Sequence, residues 1–143
     1  MQSQENFLYQ ENILDHARNP INKEELFLSS DEIKAFDQFG SPLLLSEKGE
    51  NMSCGDNGIL FLKIKKDKEN SLILKASFLG NGCAISQSAF DMLCGELKNK
   101  LISEVKFWTP AKIYELLGIQ IHQNRVNCAL LSYEALVKIL KNV

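Results

Sequence analysis

Ile59-Leu-Phe-Leu-Lys-Ile-Lys65 and Leu72-Ile-Leu-Lys-Ala-Ser-Phe-Leu79 are the stretches whose reading decides the fold. Leu60, Leu62 and Ile64 alternate along the first, and Leu72, Leu74, Ala76 and Phe78 along the second. That two-residue period predicts strands with one face against a core. The polar stretch Lys66 to Asn70 is short enough to join them as a hairpin, so they pair antiparallel. Gly80-Asn81-Gly82 breaks the second strand. Ile85, Ala89, Met92 and Leu93 then recur at i, i+4, i+7 and i+8, which predicts an amphipathic helix with Cys83 at the break.

Working outward, Leu43-Leu44-Leu45 predicts a short strand upstream, and Asn51 to Gly58, rich in Asn, Ser, Gly and Asp, predicts a loop. Residues 7 to 18 form an opening helix, with Tyr9, Ile13 and Ala17 on one stripe and Asn19-Pro20 ending it. Between Ile21 and Gly40 the chain is polar and irregular. Ser29 and Glu32 there stand at capping-box spacing ahead of Ile33 and Phe36, which predicts one short helix. Downstream, Thr109 is placed to cap a helix with Pro110 at its first position and Gly118 at its end, carrying Ile113, Leu116 and Leu117. A final helix carries Cys128, Leu131, Ala135 and Ile139 on one face. The sequence has no internal repeat, low-complexity tract or linker. It therefore describes a single α+β domain over 1–143, a small antiparallel sheet of about three strands packed with several helices.

Charge narrows the function. Sixteen Lys and Arg against eighteen Asp and Glu give a formal charge of −2, which removes the sequence-wide basic signature of a nucleic-acid binder. No apolar run approaches the roughly 20 residues that span a bilayer, and the N-terminus lacks a basic stretch followed by an apolar one. The expectation is a cytoplasmic protein with neither nucleic acid nor membrane as partner. A chain of this size buries roughly 68–70% of its unfolded surface and needs no disulfide staples. In a reducing compartment Cys54, Cys83, Cys94 and Cys128 are accordingly metal-binding, catalytic or buried.

Cys54 and Asp56 flank Gly55, whose backbone freedom lets both side chains converge on one ion. Cys83 stands at a helix start, where the dipole favours a thiolate, and Cys128 near the start of the last helix. Three thiolates and one carboxylate complete a tetrahedral zinc site, although the chain has no pair of Cys-x-x-Cys knuckles. The competing reading makes each cysteine a small buried hydrophobe, and Cys94, following Leu93 inside a predicted helix, is assigned to packing. Around one divalent ion those four ligands sum to −2, so a cation is expected nearby. Arg125, three residues before Cys128, projects onto the same face if the helix has begun there; otherwise it is a solvated arginine. His122 reads as an exposed loop residue and His16 as a structural or surface residue with no visible partner. His-Glu-x-x-His, Gly-x-x-x-x-Gly-Lys and Cys-x-x-Cys are all missing, and Gly80-x-Gly82 lacks the third glycine of a dinucleotide fingerprint.

Several segments together resemble the iron–sulfur cluster assembly family that includes IscU, SufU and the N-terminal part of NifU. Tyr9-Gln-Glu-Asn-Ile-Leu-Asp-His16 followed by Asn19-Pro20 is similar to its N-terminal helix signature. Asn51-Met-Ser-Cys54-Gly-Asp56 is similar to its Asn-Pro-x-Cys-Gly-Asp loop, with Met52 in place of proline. Phe78-Leu-Gly-Asn-Gly-Cys83-Ala-Ile-Ser86 and Arg125-Val-Asn-Cys128 resemble its second and third cysteine motifs. Gly-x-Gly-Cys83 and Arg125-x-x-Cys128 look closest to SufU. Asn127 stands where IscU has a histidine, and the Leu-Pro-Pro-Val-Lys segment of IscU is missing, while the 45 positions from Cys83 to Cys128 leave little room for the usual SufU insertion.

The resemblance implies that Cys54, Asp56, Cys83 and Cys128 form a metal site holding zinc or a transient iron–sulfur cluster. It makes Cys54 the acceptor of persulfide sulfur from a pyridoxal-phosphate-dependent cysteine desulfurase of the SufS, IscS or NifS type. Apo iron–sulfur proteins or carriers would be the recipients, and Arg125 would stabilise the anionic site or contact the partner. A zinc-dependent sulfurtransferase-type acceptor and a non-enzymatic scaffold both fit. The alternatives are a zinc-stabilised interaction module without sulfur chemistry and a metal-free binding domain.

Overall fold

The computed structural model of the chain describes residues 4–34, 42–50, 55–67 and 70–143. β1 (Pro42–Glu50), β2 (Asn57–Lys65) and β3 (Leu72–Asn81) form one antiparallel sheet in the order β1-β2-β3. The hairpin and the α+β class are as the sequence implies. β1 is three times as long as the leucine triplet that marks it, pairing with β2 from Pro42↔Lys65 to Glu50↔Asn57. Its second half, Ser46 to Glu50, has no apolar alternation, and backbone ladder bonds hold it in the sheet.

On β2 the expected Leu60, Leu62 and Ile64 are fully buried. On β3 the alternation changes phase. Lys63 pairs with Lys75 but Ile64 with Ile73, so Leu74 is the extra residue of a β-bulge. Inserting one residue turns the strand over locally, and Ile73 enters the core while Leu72 and Leu74 stay half-buried.

Helices α1 (Gln4–Arg18), α2 (Ser30–Lys34), α3 (Ala84–Leu97), α4 (Ile102–Val105) and α5 (Pro110–Leu117) are followed by a 3-10 turn (Gln123–Arg125). Two more, α6 (Val126–Ala129) and α7 (Leu131–Leu140), complete the described elements. The capping box forms in full: Ser29 N–H donates to Glu32 Oε1 at 2.9 Å and Glu32 N–H to Ser29 Oγ at 3.1 Å. Phe36, expected on that helix, lies outside the described residues. Thr109 leads into α5 with extended backbone and Pro110 follows it, yet its hydroxyl makes no capping bond. The single final helix of the sequence reading is two helices. Leu130, at φ −94° and ψ 2°, departs from helical geometry between them. Among the described residues no helix is long and apolar enough to cross a membrane.

α3 and α7 pack on the sheet over a core that includes Phe78, Phe90, Leu93, Leu97, Ile113, Leu117, Leu131 and Leu136. Phe78 and Phe90 stack with centroids 5.3 Å apart. Two glycines let these helices come close at one end of the sheet. Gly49 and Gly58 face each other across β1 and β2. A Cβ on Gly49 would lie 2.2 Å from the carbonyl oxygen of Leu131, and one on Gly58 would lie 2.5 Å from the Phe90 ring. Side chains at either position would force α7 or α3 away from the sheet.

His16 does have a partner. The carboxylate of Asp91, fully buried on α3, pairs through Oδ2 with His16 Nδ1 at 2.5 Å. Its Oδ1 accepts the N–H groups of Ile21 and Asn22 at 3.0 and 2.8 Å. Asn22 O in turn accepts from Phe78 N–H at 3.0 Å, and Ser77 Oγ donates to Glu24 O at 2.6 Å. The chain after α1 is thus strapped to α3 through Asp91, about seventy positions away, and to β3 through Phe78 and Ser77, connections that local patterning does not carry.

Candidate metal centre

Three of the four residues expected to share a site do so. Asp56 stands just before β2, after Gly55 at φ +74°, a left-handed conformation that glycine adopts without strain. Cys83 is the residue immediately before α3, in extended conformation. Cys128 lies on α6 and is fully buried. A carboxylate oxygen of Asp56 and the two Sγ atoms all lie within 4.8 Å of one another. Cys54, the fourth expected ligand, lies outside the described residues.

Local chemistry fixes the carboxylate. Cys83 N–H donates to Asp56 Oδ2 at 3.2 Å, as a backbone donor at a helix start can, because the first turn has no intrahelical acceptors for it. Burial works against the charge of Asp56. The bond from the Cys83 amide and further hydrogen bonds with the thiols of Cys83 and Cys128 and the hydroxyl of Ser86 outweigh it, and they hold the carboxyl below its ordinary range. Gly82 leaves the space for this arrangement, since a Cβ there would lie 2.4 Å from Ser86 Oγ and 2.8 Å from Asp56 Cγ.

Arg125, at the end of the 3-10 turn, meets the cysteines as its sequence position suggests. The charge of Cys83 and a hydrogen bond with Cys128 raise its already high pKa. His122 is exposed, and its Nδ1 accepts from Asn124 N–H at 3.2 Å, consistent with a loop residue outside the cluster. Cys94 is buried on α3 as expected; burial, with Asp91 nearby, pushes its thiol well up. Ser86 is the residue sequence reading passed over. Its signals are its place three residues after Cys83, one helical turn on, and its position at the end of the second cysteine motif, where no role was assigned to it.

The donor set suits a thiophilic divalent ion. Cysteine sulfur and aspartate oxygen are both zinc ligands. In a tetrahedral site with Zn–S of about 2.3 Å, sulfurs lie about 3.8 Å apart. Atoms already within 4.8 Å of one another therefore need to close by only about 1 Å.

Residues 8–142 match the NifU-like N terminal domain. The chain belongs to that family. It is 30% identical to the zinc-dependent sulfurtransferase SufU of Bacillus subtilis, over 92% of this chain and 88% of that protein. It is 28% identical to the iron–sulfur cluster assembly scaffold protein IscU of Thermotoga maritima, over 68% of this chain and 77% of the relative. The fold of this NifU-like domain also matches solved structures. One is a candidate iron–sulfur cluster assembly scaffold of the SUF system from Fervidobacterium islandicum, with TM-score 0.64, 24% identity, and 94% of this chain and 97% of that one covered. Another is a NifU-like N-terminal protein from Brucella abortus, with TM-score 0.64, 13% identity, and 97% and 96% covered.

Proposed function

We propose that this NifU-like domain is a cytoplasmic sulfur acceptor in iron–sulfur cluster assembly, taking persulfide sulfur on Cys54 from a pyridoxal-phosphate-dependent cysteine desulfurase. The observation that carries the reading is the convergence of Asp56, Cys83 and Cys128 beside Arg125. Cys54, two residues from Asp56, would complete the ligand set. Zinc bound there would keep the thiols ionised at neutral pH, because metal ligands bind deprotonated.

The chain's own residues then divide the work. Asp56 would be the hard oxygen donor among the sulfurs that hold the ion, and would make the site less thiophilic than four thiolates. Cys54, as a thiolate, attacks the outer sulfur of the desulfurase persulfide. The new S–S bond forms on Cys54 as the desulfurase sulfur leaves as a thiolate, so the step needs no external oxidant or reductant. Arg125 places a fixed positive charge beside an anionic site and offers a guanidinium to the incoming persulfide. Similarity to a zinc-dependent sulfurtransferase over 92% of the chain supports this reading. Similarity to proteins named IscU scaffolds supports the second one, in which the same four residues hold a transient iron–sulfur cluster for delivery to apo proteins or carriers.

The test is to purify the protein without oxygen, measure zinc, iron and acid-labile sulfide, and then add a cysteine desulfurase with cysteine. Mass spectrometry should find one extra sulfur on Cys54, with desulfurase turnover accelerated and both effects abolished in Cys54→Ser. Bound iron and sulfide would favour the scaffold reading. A Cys54→Ser protein that only loses zinc and unfolds, with no persulfide in the wild type, would leave a zinc-stabilised interaction module.

A further inference from the structure

Ser86 is fully buried on α3, one turn beyond Cys83, and its hydroxyl stands among three polar groups. It donates to Cys83 O at 3.1 Å. It accepts from the Cys83 thiol at 4.0 Å, the outer limit for sulfur, and it lies on the same side of Gly82 as the Asp56 carboxylate, which it helps to keep ionised. Helical serine hydroxyls commonly bond a carbonyl one turn back, so the Cys83 O contact alone would be ordinary. Contact with both an oxygen ligand and a sulfur ligand is not.

Gly82 makes the contact possible. Its missing side chain leaves a gap in which a Cβ would sit 2.4 Å from Ser86 Oγ, 2.8 Å from Asp56 Cγ and 3.0 Å from Asp56 Oδ2. The hydroxyl and the carboxylate therefore both close on a backbone atom that only glycine leaves bare. The single Ser86 proton turns by rotation about Cβ–Oγ, so it can point at the carbonyl or at either neighbouring donor atom without moving a heavy atom.

We propose that Ser86 is a positioning residue for the metal site: its buried hydroxyl restrains Asp56 against Cys83 and thereby sets how fast the ion is released. The proposal rests on the metal-binding reading above. Asp56 would be the hard oxygen donor among sulfurs, so loosening it speeds release of the ion even though Ser86 never touches it. Partners of this kind behind metal ligands are worth roughly 10–100-fold in metal affinity.

The test compares wild type, Ser86→Ala and Gly82→Ala as full-length proteins loaded with zinc, following release to a chromogenic chelator, and loaded with cobalt(II), following the visible spectrum. Ser86→Ala should release zinc about tenfold faster and shift the cobalt ligand-field bands, with the metal-free protein melting within a few degrees of wild type. A purely structural role would move the melting point and leave the spectrum alone. Gly82→Ala reaches the same pair from the other side and keeps the hydroxyl; it should also accelerate release, and it decides the matter if Ser86→Ala does not fold. Wild-type release rates and spectra in both variants would overturn the role of Ser86 while leaving the metal site standing. A wild-type protein that takes up neither ion would overturn the metal reading, and this proposal with it.

Discussion

Replacing Asp91 tests whether the buried carboxylate organises the N-terminal strap. In Asp91→Ala, the N–H groups of Ile21 and Asn22 lose acceptors at 3.0 and 2.8 Å, and His16 loses its partner. A hydrogen bond to a charged group contributes about 1.5–3 kcal/mol, and three such bonds vanish together. Part of that loss is recovered, because the variant no longer has to bury a carboxylate and because His16 and the Ile21 backbone lie near water. The net expected cost is about 3–4 kcal/mol, or a fall in melting temperature of about 6–16 °C at roughly 2–4 °C per kcal/mol for a chain of this size. Asp91→Asn keeps an acceptor for the two amides and should cost about 1–2 kcal/mol. The assay is urea unfolding of the metal-free protein, with amide hydrogen exchange at Ile21, Asn22 and Phe78. Exchange should quicken at all three in Asp91→Ala, since Phe78 N–H is bonded to the strap through Asn22 O. Stability within 0.5 kcal/mol of wild type, with those amides still protected, would refute the reasoning.

Three further outcomes are expected. Gly58→Ala pushes a methyl to within 2.5 Å of the Phe90 ring and should cost about 1–3 kcal/mol by overpacking, read as a lower urea midpoint in the metal-free protein. The Cys94 thiol has its pKa raised by burial and by Asp91, so it stabilises the fold fully below its unfolded value near 9.0 and less as pH climbs toward its folded value. Between pH 9 and 10.5 the metal-free wild type should therefore lose more stability than Cys94→Ala, by up to about 1.4 kcal/mol per pH unit; equal slopes would count against it. Arg125→Gln should retain zinc but take up sulfur from the desulfurase severalfold more slowly, with a weaker dependence on salt in stopped-flow measurements.

Features written in neighbouring residues were legible. The alternation on β2, the capping box at Ser29 and Glu32, and the Pro110 and Gly118 ends of α5 are short-range patterns, and the structure contains each. The β3 bulge was not legible, because Leu72, Ile73 and Leu74 are equally apolar and only the register against β2 selects Ile73 for the core. Nor was the break at Leu130, where neither glycine nor proline interrupts the pattern. At the site, Asp56, Cys83 and Cys128 were readable through their motifs, whereas spacings of 27 and 45 residues say little about proximity. Ser86 and Asp91 were passed over for one reason: polar residues buried by tertiary contacts look the same in sequence as polar residues facing water.

Gly49 and Gly58 carry no chemistry, yet they decide how near two helices can stand to the sheet end where the ligands gather. In a survey of all single substitutions scored by sulfur uptake, both should rank with the cysteines as intolerant. The pattern of damage would tell the two kinds of position apart. At the glycines, harm should grow with the volume of the replacement and ignore its polarity. At the thiols, it should follow electron-pair donation and ignore size. Positions defined by emptiness thus belong to the functional inventory of this protein as much as those that supply an atom.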